Sequence, residues 1–184
     1  MNKKFLIKIK KNFIFNLGNY DQFSASKYWK KSILKKKKLF KKIDLANFRK
    51  NGLANNIDDF YLTKNESLSL FEELKRDCGN KFILRFLESK NYGNAKKIYK
   101  FKNKYFTPTD LFSIKYVDEL NKKLNLKKIN LICEIGQGYG LLASKLLKIK
   151  KFKMILIDLP ESNLITAYYL KKIYPNKKII MDID

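Results

Sequence analysis

Apolar residues recur three and four positions apart over much of the first two thirds of the chain, which is the spacing of an amphipathic helix. This pattern predicts helices over residues 65–77 ("NESLSLFEELKRD") and 80–90 ("NKFILRFLESK"). The stretch "NYGNAKKIYKFKNKYFTPTD" that follows predicts a loop or short strands. Its last four residues have Thr107 as an N-cap, a proline in the first turn and Asp110 three residues after the cap. They predict a helix that continues to about residue 125.

From residue 129 onward the pattern changes to short continuous apolar runs, which predict strands, the first of them (129–135) buried on both sides. These runs are 129–135 ("INLICEI"), 153–158 ("KMILID") and 177–183 ("KKIIMDI"). Helical spacing fills the gaps between them, over 141–149 and from Pro160 to Pro175. Right-handed crossovers at this spacing make the strands parallel. The fold class predicted is α/β, with a mainly helical N-terminal region followed by an incomplete Rossmann-like parallel sheet (β-α-β-α-β).

The chain is strongly basic, with 41 Lys and Arg against 17 Asp and Glu and a formal net charge of +24. Most of the excess lies in residues 1–105, which we assign to a basic N-terminal region, leaving 106–184 for the partial sheet domain. Only three basic residues are arginine (Arg49, Arg76 and Arg85), although the arginine fork is favoured for reading phosphates and bases. Richness in Lys, Asn and Ile is typical of AT-rich coding, so nucleic acid is not the partner we expect.

Two further features bear on location and chemistry. The lysine run at 29–42 ("WKKSILKKKKLFKK") is compatible with a basic helix on an anionic membrane surface, but a solvated helix face is the commoner explanation. No apolar run approaches the roughly 18 residues of a membrane span, so we expect a cytoplasmic protein without a transmembrane segment. Cys78 and Cys133 have no metal or redox spacing, and Cys133, in an apolar run, is expected to be a small buried residue.

Glycine is concentrated at one point of the sequence. Of seven glycines, three (Gly136, Gly138 and Gly140) lie in "CEIGQGYG", at the carboxyl end of the first predicted strand and the start of a helix. Open parallel sheets bind ligands at this place, and glycines let bare backbone approach a ligand. A tight turn alone is the alternative explanation. Asp158 ends the second predicted strand, where a carboxylate can accept hydrogen bonds from ribose hydroxyls, although such a residue is also common in turns.

Two nucleoside cofactors compete for this site. The dinucleotide fingerprint is G-x-G-x-x-G, which places a pyrophosphate at the helix N-terminus. Here the spacing is G-x-G-x-G, and Leu141 stands where the third glycine of a dinucleotide site belongs. Glu134 precedes the first glycine by two positions. Its negative charge disfavours a phosphate and suits a ligand with a cationic amino or sulfonium group.

The residues "EIGQGYG" followed by "LIDLP" resemble the first two motifs of class I S-adenosylmethionine-dependent methyltransferases. The wider stretch from "CEIGQGYG" to "LKKIYP" is similar in particular to the sugar O-methyltransferase family, which tends to show a "DLPE" turn followed by a Tyr-containing helix. Upstream, "FRKNGLANNIDD" (48–59) and "NYGNAKKI" (91–98) are similar in style to the N-terminal region of that family.

The resemblance implies transfer of a methyl group from S-adenosylmethionine to a hydroxyl of a sugar or glycan acceptor. It implies that Gly136, Gly138 and Gly140 line the methionine part of the cofactor, and that Glu134 orients the loop or meets the amino group. It further implies that Asp158 binds the ribose. Asp182, at the end of the third predicted strand, is where such enzymes often place an acid near the adenine.

The chain departs from that family in supplying only part of the sheet. The strand that would pair with the free side of 129–135 is missing, which predicts an unpaired edge and an exposed apolar face. The sequence has no histidine, so a histidine base is excluded within it. We therefore expect an N-terminal portion of a methyltransferase, as a truncated reading frame, a split gene product or a subunit completed by a second chain, with little activity alone.

Two other functions stay open at this point. A basic binding protein for nucleic acid or an anionic membrane surface would use the lysine run at 29–42. An NAD-dependent enzyme is disfavoured by Glu134 and Leu141.

Overall fold

The computed structural model describes residues 44–51 and 62–181. Within these residues the chain is mixed α/β, with five α-helices and two small two-stranded sheets. The lysine run at 29–42 and the candidate residue Asp182 lie outside the described residues.

The N-terminal part begins with a short 3-10 helix, Leu45–Asn47, capped by the side chain of Asp44. Helix α1 spans Lys64–Cys78 and helix α2 spans Asn80–Phe86. The prediction of α1 over 65–77 is confirmed, and a capping box between Thr63 and Glu66 starts that helix.

The second predicted helix is shorter than expected. It was predicted over 80–90, but α2 ends at Phe86 and Leu87 is already extended. Glu88 instead exchanges backbone hydrogen bonds of 2.8 and 3.0 Å with Tyr105, in the second strand of an antiparallel hairpin. The apolar spacing favours a longer helix, but the backbone hydrogen bonds between Glu88 and Tyr105 hold residue 88 in an extended pairing instead. The hairpin consists of β1 (Tyr99–Phe101) and β2 (Lys104–Phe106), as the expectation of short strands allowed.

Helix α3 spans Pro108–Lys123 and begins as predicted. Thr107 is the N-cap, Pro108 occupies the first turn, and Thr107 and Asp110 form a reciprocal capping box. This box is buried, since Thr107 and Asp110 are both almost inaccessible to solvent. The residues that start α3 therefore also belong to the buried interior of the protein.

The C-terminal part is a strand–helix–strand–helix unit. Strand β3 (Leu131–Ile135) leads to helix α4 (Leu141–Ile149), strand β4 (Lys153–Ile157) and helix α5 (Pro160–Ile173). The two strands pair in parallel, with Leu131 opposite Lys153 and Ile135 opposite Ile157. Both helices and both strands agree with the predicted ranges to within one or two residues.

The third predicted strand, over 177–183, is wrong for the part that the structure describes. Residues 177–181 form no strand. Ile179 and Met181 pack against the core, whereas Ile180 is exposed. Side chains of residues 179–181 therefore alternate between the core and solvent, as in a strand, although this segment does not pair with β4.

The expectation that residues 129–135 are buried on both sides is also wrong. Side chains of β3 and β4 alternate between a half-buried face and an exposed face. Ile132, Met154 and Leu156 pack under the helices, whereas Cys133 is exposed, contrary to its predicted burial. The reason is that α3, α4 and α5 all pack on the same face of this sheet, so the other face has no cover among the described residues.

Two clusters of buried side chains hold these elements together. One joins α1, α2 and α3 to the underside of α4 and includes Phe71, Phe86 and Ile114. The other joins the 44–51 segment to α4 and α5 through aromatic rings. The first cluster has members on both sides of residue 105, where the sequence suggested a division into two regions.

Candidate functional site

The turn between β3 and α4 requires its glycines. Gly136, Gly138 and Gly140 have φ of +77°, +60° and +83°, in the region that side chains disfavour. The amide of Gly136 donates to the carbonyl of Ile157 at 2.8 Å, which ties the start of the turn to the end of β4. We call residues 136–140 the glycine loop.

The glycines differ in what surrounds them. A Cβ built on Gly140 would lie 2.7 Å from the Cγ2 of Thr166, so Gly140 lets α5 pack tightly on the loop. A Cβ built on Gly136 would have no atom within 4 Å. Gly140 is thus explained by packing, whereas Gly136 leaves bare backbone facing open space where a ligand can approach.

Asp158 holds the glycine loop from the end of β4. Its carboxylate accepts hydrogen bonds from the amides of Gly138 and Leu159, each at 2.7 Å. Gly138 is also held at its carbonyl, which accepts a hydrogen bond from the Thr166 hydroxyl at 2.8 Å. Each carboxylate oxygen has a second lone pair, so Asp158 can still accept from a ligand hydroxyl. Its ribose-binding role stays a prediction.

Glu134 is the electrostatically unusual residue of the site. Its Oε2 is buried and has no hydrogen-bond partner among the residues that the structure describes. Burial and the nearby charge of Asp158 raise the pKa of Glu134 to about 7, against a smaller opposing effect of a hydrogen bond from the backbone of Ala143. The buried Oε1 of Gln137, inside the loop, likewise lacks a partner in the described part of the chain. The site therefore offers acceptors and negative charge, and it favours a ligand that brings donors and positive charge.

Aromatic packing fixes the loop from the N-terminal side. Tyr139 is buried, and its ring lies 5.4 Å from that of Phe48 and 5.1 Å from that of Tyr169. The guanidinium of Arg49 lies 5.3 Å from the centre of the Tyr139 ring and donates to the Thr107 hydroxyl at 3.0 Å. Because rings and guanidinium pack around one loop residue, the conformation of the loop is set before any ligand arrives.

The two upstream stretches with family resemblance meet beside this loop. The amide of Arg49 donates to the carbonyl of Gly93 at 2.9 Å, and Asn94 donates to Asn47 at 2.7 Å. Phe48 occupies the space where Gly93 would carry a side chain. Only 48–51 of the first stretch is described.

A buried ionic cluster lies behind the loop, on the inner side of α4. The Nζ of Lys145 is 2.7 Å from Glu88, 2.7 Å from Asp110 and 2.9 Å from the carbonyl of Phe86. Burial opposes the charge of Lys145, but the two carboxylates outweigh burial and raise its pKa. Burial likewise opposes the charge of Asp110, whose pKa is held below its usual value by Lys145 and Arg49. The cluster links α4 to α2 and α3 and so positions the helix that follows the loop.

The structure brings together five of the six residues singled out in the sequence. Glu134, Gly136, Gly138 and Asp158 lie at the carboxyl ends of the two parallel strands, and Gly140 begins α4. Asp182 lies outside the described residues. The sequence did not single out the side chains that fix the loop, which are Phe48, Tyr139, Thr166 and Asn163, whose Oδ1 accepts from the side-chain amide of Gln137 at 2.5 Å. Their contacts depend on how α5 and the 44–51 segment dock, and no local pattern reports that docking.

Comparison with known proteins identifies no relative, since no family profile, curated protein or solved structure matches the chain. Within residues 44–51 and 62–181, no helix combines the length and the hydropathy needed to cross a bilayer.

Proposed function

We propose that this chain binds S-adenosylmethionine at the glycine loop and serves as the cofactor-binding part of a Rossmann-like methyltransferase. The observation that carries the proposal is Glu134, a largely buried carboxylate with an unpartnered oxygen. Besides burial, the charge of Asp158 is near enough to raise its pKa, and Gly136, two positions further along the chain, has open space beside its backbone.

Charge decides between the candidate cofactors. Burial and the charge of Asp158 raise the pKa of Glu134, so a bound cation beside Glu134 would favour its ionised form. S-Adenosylmethionine carries an ammonium and a sulfonium, and both match this potential. NAD carries a pyrophosphate, which Glu134 would repel across a short distance.

The chain's own residues have separable roles in this proposal. Gly136 provides bare backbone against the cofactor, and Glu134 accepts hydrogen bonds from its amino group. Asp158 keeps Gly138 in place and offers its remaining lone pairs to the ribose. For Asp182 the proposal is the one implied by the resemblance, an acid near the adenine of the cofactor. When bound, the cofactor supplies an electrophilic methyl group, and the protein's part is to hold it and to position an acceptor.

A sugar or glycan hydroxyl is the acceptor that we propose. The support is the sequence resemblance, together with the packing of its two upstream stretches on each other and, through Phe48, on Tyr139 of the glycine loop. The alternative of a basic binding protein rests on residues 29–42, outside the described residues, so no structural observation favours it.

Calorimetric titration of the full chain with S-adenosylhomocysteine and with NAD tests this proposal. We expect binding of S-adenosylhomocysteine only. Gly136→Ala places a methyl group in the open space and should abolish that binding. Gly79→Ala is the control, since Gly79 also has a positive φ and open surroundings but lies between α1 and α2. Binding of NAD, or equal losses in the two variants, would contradict the proposal.

A further inference from the structure

A small pocket lies behind the glycine loop, between α5, strand β2 and the start of α3. It runs from partly exposed side chains to buried ones, and its walls include Tyr92 and Tyr105 on the exposed side and Glu88, Thr107, Asp110 and Tyr169 on the buried side. The pocket has room for about one group of the size of a water molecule and is partly open to solvent. None of the residues that line it belongs to the glycine loop. We call it the Tyr169 pocket.

The hydroxyl of Tyr169 gives this pocket an unused hydrogen-bonding group. Tyr169 is 1% exposed, and its hydroxyl has no hydrogen-bond partner among the residues that the structure describes. Burial raises the pKa of Tyr169, so the hydroxyl keeps its proton at neutral pH and can donate as well as accept. A buried hydroxyl without a partner is unfavourable, and the pocket therefore favours a ligand that supplies the missing hydrogen bond.

The carboxylates around the pocket already have cationic partners. Glu88 and Asp110 each lie 2.7 Å from the Nζ of Lys145, and Glu88 lies 3.1 Å from that of Lys148. An anion in the pocket would meet the carboxylates and a cation would meet the lysines, so neither charge is favoured.

Glu88 still has an oxygen to offer. Lys145 and Lys148 both contact its Oε1, which leaves Oε2 as an acceptor. Besides burial, the charge of Glu88 raises the pKa of Tyr169, so the two groups lie near each other. A neutral group that accepts one hydrogen bond and donates another matches this pair, and a hydroxyl is such a group.

We propose that the Tyr169 pocket binds a hydroxyl group of a neutral polyol of the size of a monosaccharide. The ligand hydroxyl accepts a hydrogen bond from Tyr169 and donates one to the Oε2 of Glu88. The rest of the ligand lies at the exposed side, against Tyr92 and Tyr105. A few buried polar groups fix the orientation of such a ligand, and aromatic side chains supply contact area. This site is separate from the glycine loop, and the inference does not depend on what that loop binds.

Titration of the full chain with glucose, galactose, mannose and inositol, followed by saturation-transfer NMR, tests the proposal. We expect at least one of the four to bind. Tyr169→Phe removes the hydroxyl but keeps the ring that packs on Phe48 and Tyr139, and it should weaken that binding about three- to tenfold. Tyr116→Phe is the matched control, since Tyr116 is 57% exposed on α3 and does not line the pocket. Binding of none of the four, or equal effects of the two variants, would overturn the proposal.

Thermal unfolding of the same variants without ligand separates a ligand site from an internal water site. Because the Tyr169 hydroxyl is unpartnered in the described part of the chain, Tyr169→Phe should leave the unfolding midpoint unchanged or raise it. A resident water bound to that hydroxyl would be lost in the variant, which would then unfold at a lower temperature. A midpoint below that of Tyr116→Phe would therefore show that the hydroxyl is already satisfied and would also overturn the proposal.

Discussion

The carboxylate of Asp158 accepts the backbone amide of Gly138 at 2.7 Å, across twenty positions of sequence. This bond connects the end of β4 to the middle of the glycine loop. Asp158 therefore supports the loop whether or not it also contacts a ligand. A loss of ligand binding in Asp158→Ala would not by itself identify a ligand contact.

The effect of Asp158 on the loop can be measured as stability. Asp158→Ala removes the acceptor of two amides and should lower the free energy of unfolding by about 1–3 kcal/mol. Asp158→Asn keeps one acceptor oxygen and should cost less. Urea unfolding of the three proteins gives these values. Equal stability of all three would show that the bonds to Gly138 and Leu159 contribute nothing.

The two ends of the glycine loop should respond differently to a methyl group. Gly140→Ala combines an unfavourable positive φ with contact against Thr166, whereas Gly136→Ala has the positive φ alone. The left-handed backbone costs about 1–2 kcal/mol in each, and Gly140→Ala should lose about 1–3 kcal/mol more through overpacking. Thermal or urea unfolding compares them. A more stable Gly140→Ala than Gly136→Ala would refute the packing account.

Local signals in the sequence predicted local structure well. Thr107 and Asp110 predicted the start of α3, and the glycines predicted the turn between β3 and α4. Burial was harder to predict, because an apolar run such as 131–135 does not show whether both faces of the strand are covered by other elements. The long-range anchors were not predictable, since Phe48 reaches Tyr139 only through the docking of distant segments. No local pattern distinguishes Lys145 from the other lysines of this basic chain, yet it is the centre of a buried cluster.

Removal of the Lys145 charge should be strongly destabilising. Lys145→Met leaves Asp110 and Glu88 buried without their shared cation and should cost about 3–5 kcal/mol. Lys122→Met is the control, because Lys122 is exposed and pairs with Asp118 at the surface, where a pair contributes about 1 kcal/mol or less. Chemical denaturation of both variants checks the contrast. Similar costs would contradict the assignment of Lys145 as the centre of a buried cluster.

Glu134 should make the free energy of unfolding depend on pH, over the range between the ordinary pKa of a glutamate and about 7. Its pKa is raised in the folded chain, so the folded state holds the proton more tightly than the unfolded state. Its contribution to stability is therefore complete at pH 4 and is lost as the pH rises through 7, by an amount on the order of 2 kcal/mol. Glu134→Gln removes this loss. The difference in unfolding free energy between variant and wild type should rise between pH 5 and 7.5, and parallel curves would contradict the assignment.

Binding of S-adenosylhomocysteine and of 5′-methylthioadenosine, compared by calorimetry in the wild type and in Glu134→Gln, tests the role of the glycine loop most sharply. The second ligand lacks the amino-acid part, so it cannot reach Glu134 with an ammonium group. We predict that Glu134→Gln weakens S-adenosylhomocysteine about tenfold or more, as for a lost charged hydrogen bond, and leaves methylthioadenosine unchanged. Equal effects on both ligands, or no binding of either by the folded wild type, would contradict a methyl-donor site at Glu134 and the glycine loop.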